Sequence, residues 1–202
     1  MKKILNIVTS IKGKESFSLR LSDAILERLE SVYPNSTIKT RDLGKNPFPH
    51  LEETHFASFY TPEEIRTPEH IKAIKHSDEA IKELMEANVI VIGVPLYNFG
   101  IPSTLKAWID HIVRAGVTFK YADGFPEGFV VNKKVYLAIA SGAVYSEGPM
   151  KSYDFTENYL RTILGFIGMT DITVFRVEGT MIPEFKETAL PKAIANVKEF
   201  AY

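Results

Sequence analysis

Three short stretches hold the residue types that could do chemistry. Leu96-Tyr97-Asn98-Phe99-Gly100 follows an apolar run that ends at Pro95. Tyr97 and Phe99 offer flat apolar surface, Asn98 an amide that donates and accepts, and Gly100 close backbone approach. Those parts suit a planar heterocycle with a hydrogen-bonding edge. Thr9-Ser10-Ile11-Lys12-Gly13-Lys14-Glu15-Ser16-Phe17-Ser18 leads into a helix. A helix start offers free N–H groups and a positive dipole end, and Ser10, Ser16 and Ser18 add hydroxyls, a set that suits phosphate. The spacing matches neither GxGxxG nor the Walker pattern, because Gly13-Lys14 is followed by Glu15. That disfavours a dinucleotide or triphosphate cradle and leaves a single phosphate monoester. In Ala140-Ser141-Gly142-Ala143-Val144-Tyr145-Ser146-Glu147-Gly148, small residues let backbone amides approach a ring. Each stretch alone has an ordinary alternative: aromatics plugging the core, a hydroxyl-capped helix, a simple turn.

Alternating strands and helices must position these stretches. Strands are expected at Lys3–Val8, Thr37–Leu43, Val89–Val94, Val135–Ala140 and Ile172–Val177. Val89–Val94 is a nearly unbroken apolar run rich in β-branched residues, as in a central parallel strand buried on both faces. Thr37–Leu43 is more polar and Ile172–Val177 alternates, so both belong near edges. Helices are expected over Ser16–Tyr33, Thr67–Ala87 (Thr67 as cap, Pro68 at the first position), Pro102–Ala115 closed by Gly116, Tyr153–Ile167 and Leu190–Phe200. The proline-rich stretch 46–67 is long for a loop and should hold a short helix or cover the site. Residues 117–132, with Phe119, Tyr121, Phe125 and Phe129, read as a loop. Strands alternating with helices imply an α/β fold, a three-layer α/β/α sandwich of flavodoxin-like type with a five-stranded parallel sheet in the order 2-1-3-4-5. No repeat or linker divides the chain, so residues 1–202 form one expected domain.

Bulk properties narrow the classes. With 202 residues, 45% of them hydrophobic, the chain can bury a substantial core. A net charge of −1 gives no sign of a nucleic-acid or acidic-membrane partner. No apolar run approaches the roughly 20 residues that cross a bilayer, and no secretory signal is evident. Cysteine is absent, which excludes disulfides, thiolate metal sites and a cysteine nucleophile. A cytoplasmic protein fits, and any redox chemistry must be carried by a cofactor. The histidines 50, 55, 70, 76 and 111 lack the spacing of a zinc helix, so no metal is expected and solvated or capping roles are. No Gly-x-Ser-x-Gly elbow supports a serine hydrolase. Lys106, Asp110 and Arg114 look like a charged helix face, and Trp108 like core. The 153–168 helix reads as apolar nearly all round, through Phe155, Leu160, Ile163, Leu164, Phe166 and Ile167, which suggests a subunit contact.

In the expected sheet the first, third and fourth strands are neighbours, so the three stretches share one rim. A phosphate end, a planar middle and an amide-rich edge together describe a flavin mononucleotide site. Along its whole length the chain resembles the FMN-dependent NADH-azoreductase family, whose members are also quinone reductases. The matching pieces are Ser10 with Ser16-Phe17-Ser18, Arg41-Asp42-Leu43 with Asn46-Pro47, Pro95-Leu96-Tyr97-Asn98-Phe99, Arg114-Ala115-Gly116-Val117-Thr118-Phe119-Lys120-Tyr121, Pro126-Glu127-Gly128 and Leu164-Gly165-Phe166-Ile167-Gly168.

The resemblance implies that Ser10, Ser16, Phe17 and Ser18 hold the FMN phosphate. It implies that Pro95, Leu96, Tyr97, Asn98 and Phe99, with Ala140, Ser141, Gly142 and Ala143, surround the isoalloxazine ring. It implies NADH as donor and a homodimer with the flavin near the interface. The expected mechanism is ping-pong: nicotinamide passes hydride to flavin N5 and leaves, and a quinone or azo acceptor then takes two electrons. No conventional acid or base is required. Phe119, Tyr121 and Phe125 are the candidate aromatic wall for the flat acceptor. Relatives often carry Gly-Gly where this chain has Gly142-Ala143, so the added methyl matters if the backbone there is unusual. Rival readings are an FMN electron carrier that does not oxidise NADH, and a phosphoester or thioester hydrolase.

Overall fold

The computed structural model describes residues 1–202. In chain order the elements are β1 (Lys3–Val8), α1 (Phe17–Val32), β2 (Thr37–Asp42), α2 (Glu53–Tyr60), α3 (Pro68–Glu86), β3 (Val89–Pro95), α4 (Ser103–Ile112), β4 (Phe119–Ala122), β5 (Phe125–Gly128), β6 (Lys134–Ala140), α5 (Thr156–Phe166), β7 (Asp171–Val177) and α6 (Ala189–Glu199). Short 3-10 turns occupy Gly13–Glu15, Glu63–Ile65 and Lys151–Tyr153.

Strands β2-β1-β3-β6-β7 form a parallel five-stranded sheet, and β4-β5 an antiparallel hairpin. The expected order 2-1-3-4-5 did not count the hairpin, whose two strands fall between the third and fourth strands of the sheet. The polar strand β2 and the alternating strand β7 are the two edges. Side chains leave a strand on alternate faces, so each strand feeds two cores. Ile4, Val89, Val91, Tyr136 and Ala138 pack against α1 and α6 through Leu21, Ile25, Leu29, Leu190 and Val197. Leu5, Ile7, Ile90, Ile92, Leu137 and Ile139 meet the other layer through Leu84, Leu105, Trp108, Ile112, Leu160 and Leu164. The sandwich has its three layers for this reason.

Local chemistry sets the helix starts. Ser16 Oγ accepts from the Leu19 amide at 3.3 Å to cap α1, and Thr67 Oγ1 accepts from the His70 amide at 3.3 Å ahead of Pro68. The 46–67 segment does contain a helix, α2. It packs on α3, and its His55 and Phe59 rings reach His111 at 5.2 and 6.4 Å.

Several expectations are corrected. Helix α4 stops at Ile112, short of Ala115, and Pro102 is its cap, not its first residue. Gly116 (φ +77°) therefore serves the turn in which Val117 and Thr118 donate to the Arg114 carbonyl. Arg114 is not on a charged helix face. It is buried, its guanidinium donating to Ser77 and Asp78 and stacking 4.7 Å from the Phe59 ring. His111 is not solvated: it is fully buried, with Nε2 3.0 Å from the Pro49 carbonyl, and burial holds its pKa below the ordinary histidine value. Helix α5 is not apolar all round. It buries Thr156, Leu160 and Leu164 and turns Glu157 and Arg161 outward as an ion pair at 2.7 Å.

Candidate functional site

Strand register places the loops. Val8 pairs with Gly93 and Gly93 with Ala138, while Pro95 pairs with Ala140, so β1, β3 and β6 end at nearly one level. Adjacent strands lie about 4.8 Å apart, so the three following loops share a rim about 10 Å wide. Bonds across the rim fix them: Leu96 N–H donates to the Ala140 carbonyl at 2.8 Å, and Thr9 Oγ1 to the Gly93 carbonyl at 2.6 Å. This is the carboxyl end of an open α/β sheet, where ligands bind.

The first loop delivers hydroxyls and amides. Ser10, Ser16 and Ser18 are almost fully buried, and the Ser16 and Ser18 hydroxyls sit 3.0 Å apart. The Phe17 and Ser18 amides, in the first turn of α1, have no intrahelical acceptor. Helix α1 reaches this position because β3 has glycine beneath it: a Cβ on Gly93 would lie 2.7 Å from Ser22 Oγ and 3.3 Å from the Ser18 carbonyl oxygen.

The loop after β3 is a two-residue turn with an unusual occupant. Tyr97 and Gly100 exchange N–H···O bonds of 3.0 Å in both directions. Between them Asn98 (φ +48°) and Phe99 (φ +69°) are both left-handed, the geometry of a type I′ turn. Asn tolerates that region, but for an aromatic residue it is an outlier of the kind found at functional sites. Phe99 is 43% exposed, so the strain is not offset by core burial. Its ring lies 5.5 Å from Tyr153 and 6.4 Å from Tyr145, and its carbonyl accepts from the Phe155 amide at 3.1 Å. Phe99, and not the neighbouring Gly100, takes the left-handed conformation in this turn.

The loop after β6 is tied down by its carbonyls. Those of Ser141, Gly142 and Ala143 accept from the amides of Thr180, Met181 and Gly179, at 3.3, 2.9 and 3.2 Å. The amides of Gly142 and Ala143, like those of Asn98 and Phe99, find no acceptor in the chain. The rim therefore presents main-chain donors without matching acceptors, the chemistry that an anionic tail and a carbonyl-rich ring edge require. The donor set fits FMN. Ala143 is not left-handed, so its methyl imposes no backbone strain there.

The structure brings together the residues of the three loops. It does not bring Phe119, Tyr121 and Phe125 to that rim within one chain. They belong to the β4–β5 hairpin, anchored where Val130 N–H donates to the Ile167 carbonyl, just ahead of the amino ends of β6 and β7. Phe119 is buried against Phe166 at 4.5 Å, whereas Tyr121 and Phe125 are 68% and 76% exposed. Sequence reasoning also missed the charged cluster behind Phe99. Arg176 on β7 meets Asp154 at 2.5 Å, Glu157 at 2.6 Å and Glu178 at 3.3 Å. Burial alone would raise Glu157, but hydrogen bonds from Arg176 and Arg161 outweigh it and hold its pKa below the ordinary value.

The likeness to known proteins extends along the whole chain. A family profile described as flavodoxin-like fold matches residues 2–201. The FMN-dependent NADH:quinone oxidoreductase of Herminiimonas arsenicoxydans is 46% identical over 200 residues, 98% of both chains. That of Beijerinckia indica is 45% identical over 199 residues, again 98% of both. Among solved structures, an azoreductase from Bacillus anthracis aligns with TM-score 0.89 at 30% identity, covering 99% of this chain and 100% of that one. An FMN-dependent NADH-azoreductase from the same organism, in complex with FMN, gives 0.86 at 26% identity over 98% of this chain and 97% of that one. This chain belongs to the family of FMN-dependent NADH:quinone oxidoreductases and azoreductases, built on the flavodoxin-like fold.

Proposed function

We propose that the chain, as one domain over residues 1–202, is an FMN-dependent oxidoreductase that passes two electrons from NADH to quinones and azo compounds. The unmatched main-chain donors around the shared rim are the observation that carries this reading. When bound, FMN supplies the two-electron exchange, and the protein supplies position and field. Ser10, Ser16 and Ser18 hydroxyls, with the Phe17 and Ser18 amides, hold the phosphate at the positive end of α1. Pro95, Leu96 and Tyr97 with Ala140 and Ser141 form the walls of the ring site. The amides of Asn98, Phe99, Gly142 and Ala143 face the ring edge and stabilise negative charge as it accumulates there. No side chain need act as acid or base. Donor and acceptor then use one open face in turn, which is a ping-pong scheme.

Phe119, Tyr121 and Phe125 remain the aromatic wall of this proposal, with the Phe119 ring set edge-on against Tyr121 at 5.7 Å. Exposed aromatics so far from their own rim make sense if the hairpin serves the site of a second copy. The assembly is then a homodimer acting in the cytoplasm, with no nucleic-acid partner. No helix of the chain is long and apolar enough to cross a membrane.

The visible spectrum of the purified protein, followed by anaerobic mixing with NADH and then menadione, tests the reading. Expected are flavin bands, bleaching by NADH without acceptor, and recovery on menadione. A protein that takes up no FMN sinks the assignment. Flavin bands without bleaching would mark an electron carrier. Bleaching that requires bound menadione would refute the ping-pong order.

A further inference from the structure

We propose that Arg176 is a positioning residue for the acceptor side of the site, holding the loops that carry Tyr145 and Tyr153 in fixed relation to Phe99. The inference rests on the FMN reading above. Arg176 stands on the edge strand opposite Ile139, one residue below the rim, with its side chain 14% exposed. One arm reaches Asp154 and Glu157, the other Glu178.

Each carboxylate passes the restraint on. Glu178 Oε1 accepts from the amides of Tyr145 and Ser146 at 2.8 and 2.9 Å, and its Oε2 accepts from the Ser146 hydroxyl at 2.5 Å. Asp154 Oδ1 accepts from the amides of Thr156 and Glu157 at 2.8 and 3.3 Å, fixing the start of α5. Between those anchors, the Phe155 amide donates to the Phe99 carbonyl. The left-handed Phe99 is thus gripped by its main chain from one side and flanked by Tyr145 and Tyr153 around its ring. Asp154 and Glu178 are nearly buried, and only the guanidinium holds these like charges together. Lysine cannot copy the grip, because a point charge lacks the planar fork that serves separate carboxylates. Arg176 itself contacts none of the residues assigned to FMN, and its links end on the Phe99 carbonyl and on Tyr145 and Ser146 rather than on the amides that face the ring, so its effect should fall on what stacks over the open face.

Arg176→Met, studied as FMN-loaded enzyme in steady-state menadione reduction at saturating NADH, tests this. The KM for menadione should rise roughly tenfold while kcat changes less than about twofold, the pattern of lost binding rather than lost chemistry. Arg176→Lys should give a smaller rise. FMN affinity of the apoprotein, titrated by flavin fluorescence, should stay within about twofold of wild type. In the apoprotein, the Tyr145, Ser146 and Phe155 amides should exchange faster. Glu178→Gln keeps an acceptor for Tyr145 while removing one ion pair; it should raise KM roughly threefold and serves if the Met variant does not fold. An unmoved KM in the folded variants with wild-type FMN uptake would overturn this inference alone, as would KM and FMN affinity deteriorating together. Wild-type protein that takes up no FMN would overturn the FMN reading and this inference with it.

Discussion

Gly93→Ala should separate phosphate binding from ring binding. Gly93 lies on the central strand two residues below the rim, with α1 directly upon it. The added Cβ would meet Ser22 Oγ at 2.7 Å where ordinary contact begins at 3.4 Å, so one of them must retreat by about 0.7 Å, the difference. Ser22 is not free to do so, because its hydroxyl donates to the Ser18 carbonyl at 2.9 Å. Either that bond breaks or the first turns of α1 lift from the sheet. Overpacking of this kind costs about 1–3 kcal/mol and the lost buried hydrogen bond about 1. A total of about 3 kcal/mol lowers the Tm of a chain this size by roughly 6–12 °C. The functional effect is more selective. Lifting α1 moves Ser16, Phe17 and Ser18 away from a ring site whose loops stay in place. Losing one charge-assisted hydrogen bond to phosphate, about 1.5–3 kcal/mol, raises the FMN Kd roughly 10- to 100-fold. Riboflavin, which lacks the phosphate, should bind wild type and variant alike. Fluorescence titration of both apoproteins with both flavins decides the matter. Equal weakening for the two flavins, or none for FMN, would refute the assignment of α1 to the phosphate.

Other consequences follow from packing and titration. A Cβ on Gly128 would lie 2.2 Å from the Gly168 nitrogen and from the Ile167 carbonyl carbon, main-chain atoms that cannot step aside. Gly128→Ala should therefore cost about 3 kcal/mol and roughly 6–12 °C of Tm by undocking the hairpin; a loss under 2 °C in a thermal melt would contradict the close crossing. His111 is buried and its folded pKa lies below the unfolded value, so the unfolded state binds the extra proton first. Its contribution is fully present above about pH 6.5 and is lost as pH falls through the lower folded value. Melts of wild type and His111→Gln between about pH 7.5 and 5 should show the steeper acid decline in wild type, and equal slopes would remove His111 as the cause. Acid loss from Glu83 and Glu157, both held below their ordinary values by arginine partners, belongs to the window below about pH 4.5.

The sheet was legible because each core strand satisfies one simple rule. Val89–Val94 is apolar at every position, and Thr37–Leu43 is polar enough for an edge. The Thr67-Pro68 start was legible because a capping hydroxyl before a first-turn proline has few other uses. Asp123-Gly124, both left-handed, is the local signal for the hairpin, but its strands are four residues each and mostly exposed, so no buried alternation marks them in the sequence. Arg114 was misplaced because i,i+4 spacing assumes that the helix continues, and α4 ends two residues earlier. The turn at Asn98-Phe99 left no trace, since local preference argues against an aromatic with positive φ and only surrounding structure imposes it. Arg176 and its carboxylates come from β7, the loop before α5, the first turn of α5 and the loop after β7, so no local window connects them.

Residue-resolved amide exchange of the apoprotein, with and without FMN, bears most directly on the shared rim as a cofactor site. Protection should rise at Phe17 and Ser18, at Asn98 and Phe99, and at Gly142 and Ala143, with riboflavin reproducing the last four and sparing the first two. Protection that appears elsewhere, for instance along the groove between α1 and β2, or at only one of the three loops, would contradict the account.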